Sequence, residues 1–245
     1  NGTKEIKETL KALGLVNAQG QTTQIGKRIC SRGPGPFGIL YAYHPYMTSL
    51  DTILKKGRSA VWVRRRDNIS ASQLANTKTF SAGNAMLDNF CTDHAFSYKL
   101  YIEHAMGKGE ATRQRYVKNG ETHIQYAGAD LENEAIDAAQ EEQKKGILPQ
   151  NMFFVRKADI GQPHLLLDAF KERGISPQDA VMIVGNGFHE VREQTTHKMI
   201  NVFKAYQDAG IILIFTEETG HGTRLLQQTA WNTYHSGFRF VHEKS

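Results

Sequence analysis

Tyr98-Lys-Leu-Tyr-Ile-Glu-His-Ala-Met-Gly-Lys-Gly-Glu110 decides the fold. The apolar run Tyr98–Ile102 is predicted as a β-strand, the segment with Gly107 and Gly109 as a turn, and the residues from Glu110 onward as a helix. Glycines in such a turn let a ligand approach the backbone, and a helix start offers unpaired N–H groups to a polar or anionic ligand. Strand, glycine turn and helix together open a nucleotide-binding βα unit.

Downstream the unit repeats. Ile124–Ala129 is the second predicted strand and delivers Asp130, followed by Leu131 and a helix from Glu132 to about Lys145. Met152–Lys157 is the third and leads into Ala158, Asp159 and Ile160. Ala180–Val184 is the fourth, followed by Gly185-Asn-Gly-Phe-His-Glu190, and Ile211–Phe215 is the fifth, ending in Thr216, Glu217 and Glu218. Apolar strands alternating with helical stretches predict an α/β parallel sheet covered by helices on both faces, with ligands bound beyond the carboxyl ends of the strands. A carboxylate about 20 residues past a glycine turn can accept both hydrogen bonds of a ribose diol, which nominates Asp130. A dinucleotide site shares this spacing, but its pattern asks for Gly or Ala where Thr112 stands.

Upstream, Ile6, Leu10 and Leu13 recur at helical spacing over Thr3–Leu13 and predict an amphipathic helix with one face packed inward. Leu15-Val16 reads as a short strand, Ala18–Gln21 as a turn and Thr22–Ile29 as a second helix. This order resembles part of a winged-helix module, which serves either DNA binding or dimerisation; the nearly balanced charge of the first helix favours dimerisation. Ser31–Pro36 is a connector, Tyr46–Leu54 is predicted as helix, and Ala60–Val63 is a short strand or buried run. Ser70–Phe90 lacks proline and is predicted as one or two helices, with Phe80 and Met86 as core residues. The expected organisation is an N-terminal region over 1–67, a helical connector over 68–97 and a nucleotide-binding domain over 98–245.

Composition narrows the class. At 245 residues, 40% hydrophobic and 22% charged, the chain can bury a substantial core, and no apolar run reaches the roughly 20 residues of a membrane-spanning helix. Two cysteines, Cys30 and Cys91, form neither a metal-ligand spacing nor a disulfide framework, so a reducing, cytoplasmic setting and no metal are expected. The first residue, Asn1, suggests an excised or processed chain. Much of the net charge of +5 lies in Lys55–Arg66, including Arg64-Arg-Arg66, read as a solvated basic edge more readily than a nucleic-acid contact.

Glu103–Glu110 resembles motif I of class I S-adenosylmethionine-dependent methyltransferases, an acid followed by G-x-G-x-G, with Ala105 in place of the first glycine. Phe188-His-Glu-Val191 is similar to the histidine-acid-aromatic motif of the small-molecule O-methyltransferases with an N-terminal winged helix, and Asn84-Ala-Met86 to a signature in the helix before motif I. Asp179 through Glu217, with the Asp208-Ala-Gly210 turn, is similar to the family's fourth strand, helix and fifth strand. The resemblance implies a Rossmann-like methyltransferase sheet preceded by a small winged-helix-like domain. It also implies S-adenosyl-L-methionine as cofactor, held by Glu103, Ala105, Met106, Gly107, Gly109, Asp130, Leu131, Asp159, Ile160 and Asn186. The partners it implies are a small-molecule methyl acceptor and a second copy of the chain.

Methyl transfer from a sulfonium is an in-line displacement, so the protein must position the nucleophile, and a hydroxyl must first lose its proton. His189 is the candidate base, oriented by Glu190 or Glu217. His197 is expected on an exposed helix face, and Trp231, Tyr234 and Phe238 in the last strands of the sheet. Two other functions stay open: a winged-helix DNA-binding regulator with a ligand-sensing domain, and a nicotinamide-dependent oxidoreductase.

Overall fold

The computed structural model describes residues 2–31, 44–57, 65–120, 123–191 and 194–217. The expected connector beyond Ser31, the run Ala60–Val63, Arg64, Glu218, Trp231, Tyr234 and Phe238 lie outside the described residues, as does the side chain of Glu190.

Five parallel strands form one sheet in the order β3-β2-β1-β4-β5. They are β1 (Leu100–His104), β2 (Gln125–Asp130), β3 (Phe153–Arg156), β4 (Val181–Gly185) and β5 (Ile212–Thr216). One face of the sheet carries α5 (Arg65–Asp93), α6 (Glu110–Asn119) and α7 (Asn133–Lys144); the other carries α8 (Pro163–Glu172) and α9 (Thr196–Asp208). Two apolar layers result. Leu100, Ile102, Ala129, Met182 and Val184 pack with Leu166, Phe170, Val202 and Tyr206 on one side. Tyr101, Tyr126, Val181 and Ile183 pack with Phe80, Leu87, Ala111 and Ile136 on the other. Strands covered on both faces read as continuous apolar runs, which is why all five were visible in the sequence. The order reverses between β1 and β4, placing a crevice at their carboxyl ends.

The strand boundaries differ from the expected ones by a residue or two, most at β1, which runs Leu100–His104 instead of Tyr98–Ile102. Glu103 and His104 enter the strand because each finds a local partner. The Glu103 carboxylate accepts from Ala111 N and Thr112 N, and His104 Nδ1 accepts from Ala105 N.

Helix α5 is one continuous helix of 29 residues. Phe80, Gly83, Asn84 and Leu87 are buried at helical spacing, whereas Met86, expected in the core, is 64% exposed because it falls on the opposite side. The single expected helix over Tyr46–Leu54 is two, α3 (His44–Thr48) and α4 (Leu50–Lys56), separated at Ser49.

At the N-terminus, α1 (Gly2–Ala12) and α2 (Gln24–Ser31) flank a turn closed by an isolated bridge between Val16 and Thr22, not a strand. Thr23 caps α2, its Oγ1 accepting from Gly26 N at 3.1 Å. The apolar stripe of this region does not face inward: Ile6 is 61% exposed and Leu13 63%. Periodicity identifies an apolar face but not what covers it. No helix among the described residues is long and apolar enough to cross a membrane.

Candidate active site

Three backbone positions of the turn after β1 are left-handed: Ala105 (φ +53°), Gly107 (+55°) and Gly109 (+86°). Ala105 is thus a non-glycine residue in a conformation that costs an L-residue about 1–2 kcal/mol. Gly109 has a second constraint, since a Cβ would stand 2.9 Å from Leu148 Cδ1.

Within this turn the candidate residues divide by face. Glu103 is 1% exposed and turns toward α6, where its two oxygens accept from Ala111 N at 3.2 Å and Thr112 N at 2.7 Å. It caps the helix whose free N–H groups would otherwise be orphaned. Met106 is also buried, its thioether lying against Gly128 and its backbone N–H directed to Ala129 O at 3.3 Å. Asp130 links two turns, as Oδ2 accepts from Gly107 N at 3.0 Å and Oδ1 from Glu132 N at 2.9 Å. Leu131, beside it, is 41% exposed on the rim.

Beyond β3, the half-buried Asp159 accepts from Gly161 N at 2.8 Å and from Gln162 Nε2 at 2.9 Å. Ile160 is buried, and its carbonyl accepts from Tyr206 Oη at 3.1 Å. After β4, Asn186 is left-handed (φ +53°), donates its backbone N–H to Thr216 O at 2.8 Å and reaches Asn76 of α5 at 3.2 Å. At Gly187 a Cβ would come within 2.9 Å of the Ala105 methyl. Its absence lets the β1 and β4 turns meet across the crevice.

Glu217, at the exit of β5, binds the β4 turn twice. Its Oε1 accepts from Phe188 N at 2.5 Å, and its Oε2 pairs with His189 Nδ1 at 2.8 Å. Of the two acids expected to orient the histidine, the structure thus pairs Glu217 with His189. Glu190 closes a 3-10 turn over Phe188–Glu190. His197 is exposed on α9, within 3.1 Å of Asn201. Among the described residues, no group of three or more His, Cys, Asp or Glu could hold a metal ion.

Two features went unread in the sequence. The first is a polar knot behind the turn after β1. The Asn84 carbonyl oxygen Oδ1 accepts from Tyr101 Oη at 3.0 Å and Arg115 Nε at 3.1 Å, while Asn84 Nδ2 donates to Ala111 O at 3.1 Å. Arg115, 2% exposed, also pairs with Asp88 at 2.6 Å. It binds α5, α6 and β1 into one body.

The second is His104, 1% exposed, whose Nε2 finds no hydrogen-bond partner among the described residues. Because Nδ1 accepts the Ala105 N–H at 2.9 Å, the proton sits on Nε2. An orphaned buried donor costs about 1–3 kcal/mol. Only a tertiary arrangement could reveal it; the sequence signal was merely a histidine at an unusual place in the motif.

Burial moves these two neighbours in opposite directions. It pushes the Glu103 carboxyl up to about 7 against the pull of Thr112 and Ala111, and it pushes His104 down to about 4, opposed by the charge of Asp159. For His104 the unfolded chain binds more protons between pH 4 and 6.5, so its contribution to stability is present above 6.5 and lost as pH falls toward 4. For Glu103 the folded chain binds more protons between pH 4.5 and 7, so stability falls as pH rises through that window. The slopes oppose each other where the windows overlap. Relative to the wild type, stability between about pH 4.5 and 6.5 should therefore rise more steeply with pH in Glu103→Gln and less steeply, or fall, in His104→Asn. Urea melts across this range test it, and parallel profiles for all three proteins would refute it.

No protein-family model and no curated protein sequence matches the chain. Among solved structures, the chain is similar to an O-methyltransferase family protein from Burkholderia thailandensis, with a TM-score of 0.57 and 19% identity over 98% of this chain and 72% of that one. It is also similar to the carbon methyltransferase CurJ, with a TM-score of 0.54 and 13% identity over 89% of this chain and 61% of that one. At these identities the likeness is one of fold, and it gives the chain a Rossmann-like methyltransferase architecture: a parallel five-stranded sheet with helices on both faces.

Proposed function

We propose that the chain is an S-adenosylmethionine-dependent methyltransferase that methylates a hydroxyl of a small molecule, with His189 as general base. The observation that carries this reading is the His189–Glu217 pair, held at the β4 exit across from the left-handed turn after β1. A phosphate-binding or purely structural turn has no need of an oriented imidazole there.

The residues fit the cofactor. Asp130 stands at the end of β2 with its carboxylate tied to the Gly107 turn, placed to accept a ribose diol. Leu131 and Ile160 offer apolar surface to an adenine ring, and Asp159 an acceptor for its amino group. Asn186 and the backbone of Ala105, Gly107 and Gly109 line the crevice between β1 and β4, and Glu103 and Met106 support that turn from behind. When bound, the cofactor supplies an electrophilic methyl group on sulfur.

The chain's own residues supply the rest. Glu217 holds His189 Nδ1 as a donor, which makes Nε2 the basic nitrogen. Nε2 takes the proton of the acceptor hydroxyl, and the Glu217 carboxylate stabilises the resulting imidazolium. The exposed apolar side chains Ile6, Leu13 and Ile25 support a dimerisation role for residues 1–67, preceding a connector over 68–97 and a catalytic domain from 98. The thiols Cys30 and Cys91 are both free, in keeping with a reducing cytoplasmic setting.

Calorimetry tests the cofactor directly. S-adenosylmethionine should bind the wild type with micromolar Kd, and Asp130→Ala should weaken binding by about 10–100-fold, as expected for losing charge-assisted hydrogen bonds. No heat of binding to the wild type would overturn the reading.

A further inference from the structure

We propose that His104 is a positioning residue for Asp159: with an adenosyl ligand in the crevice, its Nε2–H donates to the Asp159 carboxylate and holds that acid toward the 6-amino group of the purine. The inference rests on the cofactor reading above, and it adds a residue that sets selectivity for the base.

The geometry behind it begins with the sheet. His104 is the last residue of β1 and stands in register between Ala129 of β2 and Val184 of β4. Those neighbours belong to the buried layer that also contains Ala158 and Ile160, the residues on either side of Asp159. The imidazole and the Asp159 turn therefore share one face of the sheet, close enough for the Asp159 charge to act on the ring.

The turn is already anchored on one side. Tyr206 Oη donates to Ile160 O at 3.1 Å, and Ala158 N donates to Asp130 O at 3.0 Å, so both neighbours of Asp159 are fixed to the core. Among the described residues, the Asp159 carboxylate has local partners: the Gly161 N–H and the amide of Gln162, an exposed side chain. The Gln162 amide competes with water and is the partner that gives way. His104 Nε2–H, by contrast, is a buried donor with no partner among the described residues, and its direction is locked because Nδ1 holds the Ala105 N–H. Pairing it with a carboxylate removes the orphan and makes a charge-assisted hydrogen bond. A carboxylate oriented in this way accepts from a 6-amino purine and faces an acceptor in a 6-oxo purine. His104 thus acts on base selectivity through Asp159, not by touching the reacting atoms.

The test compares S-adenosylhomocysteine with its inosyl analogue by calorimetry on wild type and His104→Asn. Asparagine keeps an acceptor for the Ala105 N–H but cannot extend a donor to Asp159. The wild type should favour the adenosyl ligand by about tenfold or more, and His104→Asn should lose about tenfold in adenosyl affinity and narrow the preference to within about threefold. Equal adenosyl affinity and an unchanged preference in His104→Asn overturn the inference and leave the cofactor reading standing. Failure of the wild type to bind S-adenosylhomocysteine overturns both. Should His104→Asn not fold, the wild type decides alone: with 15N-labelled histidine, the Nε2–H proton should move downfield when S-adenosylhomocysteine saturates the site, and an unmoved resonance overturns the inference.

Discussion

His189→Ala should lower kcat by about 10²–10⁴-fold, the range for removing a general base, while S-adenosylmethionine binds with unchanged Kd. The two observables separate because His189 and Asp130 sit on different turns. His189 follows β4 and is tied to Glu217, whereas Asp130 ends β2 and is tied to Gly107 and Glu132. Removing the imidazole leaves every hydrogen bond around Asp130 in place. Glu217→Gln should act in the same direction and somewhat further on the fold of the turn, since Glu217 also accepts from Phe188 N. Steady-state kinetics on an acceptor found by screening, combined with calorimetry, gives the answer. Weakened cofactor binding with normal turnover at saturation would mean that the roles of His189 and Asp130 are exchanged.

The largest effect on stability is expected at Asp88. Its carboxylate bonds Arg115 Nη1 at 2.6 Å, and the Arg115 side chain is only 1% exposed. Asp88→Ala leaves that guanidinium in the interior with the neutral oxygens of Asn84 and the Tyr101 ring for company. The Asp88 side chain is itself 34% exposed, so water reaches one side of the pair, and the loss should be about 1–3 kcal/mol, below the roughly 3–5 kcal/mol of a fully buried pair but still a large share of the stability of a typical domain. Lys118, the other cation at Asp88, is mostly exposed, so its loss contributes little. Urea denaturation of the full chain measures the difference. A loss below about 1 kcal/mol would show that the guanidinium is solvated in solution, because only exposed pairs are worth so little.

The sheet was legible because its strands are buried on both faces, and such strands leave unbroken apolar runs such as Val181–Val184 and Ile212–Phe215. Their ends were less so. Glu103 and His104 look like loop residues until their partners Ala111, Thr112 and Ala105 are known, and those partners come from the turn's own geometry. The candidate site was legible in its positions, since an acid or histidine at a strand exit is visible in any sequence. Direction was not. Nothing local says that Glu103 turns toward α6, that Met106 lies against Gly128, or that Glu217 is the acid that meets His189. Met86 makes the same point on a helix, where a shift of one position between Met86 and Leu87 separates solvent from core. The exposed stripe of α1 shows the limit of periodicity, which marks an apolar face without saying whether it is covered.

The meeting of Ala105 and Gly187 constrains how this crevice can change by mutation. Gly187→Ala as a first step puts a methyl 2.9 Å from the Ala105 methyl and 2.8 Å from Val184 Cγ1. Ala105→Gly as a first step relieves the left-handed strain at φ +53° and removes one of the two contacts, leaving only Val184 Cγ1 to give way. The same two replacements thus differ in fitness by their order: one route begins downhill, the other against a clash. Lineages that carry a side chain at the second position should have acquired glycine at the first beforehand.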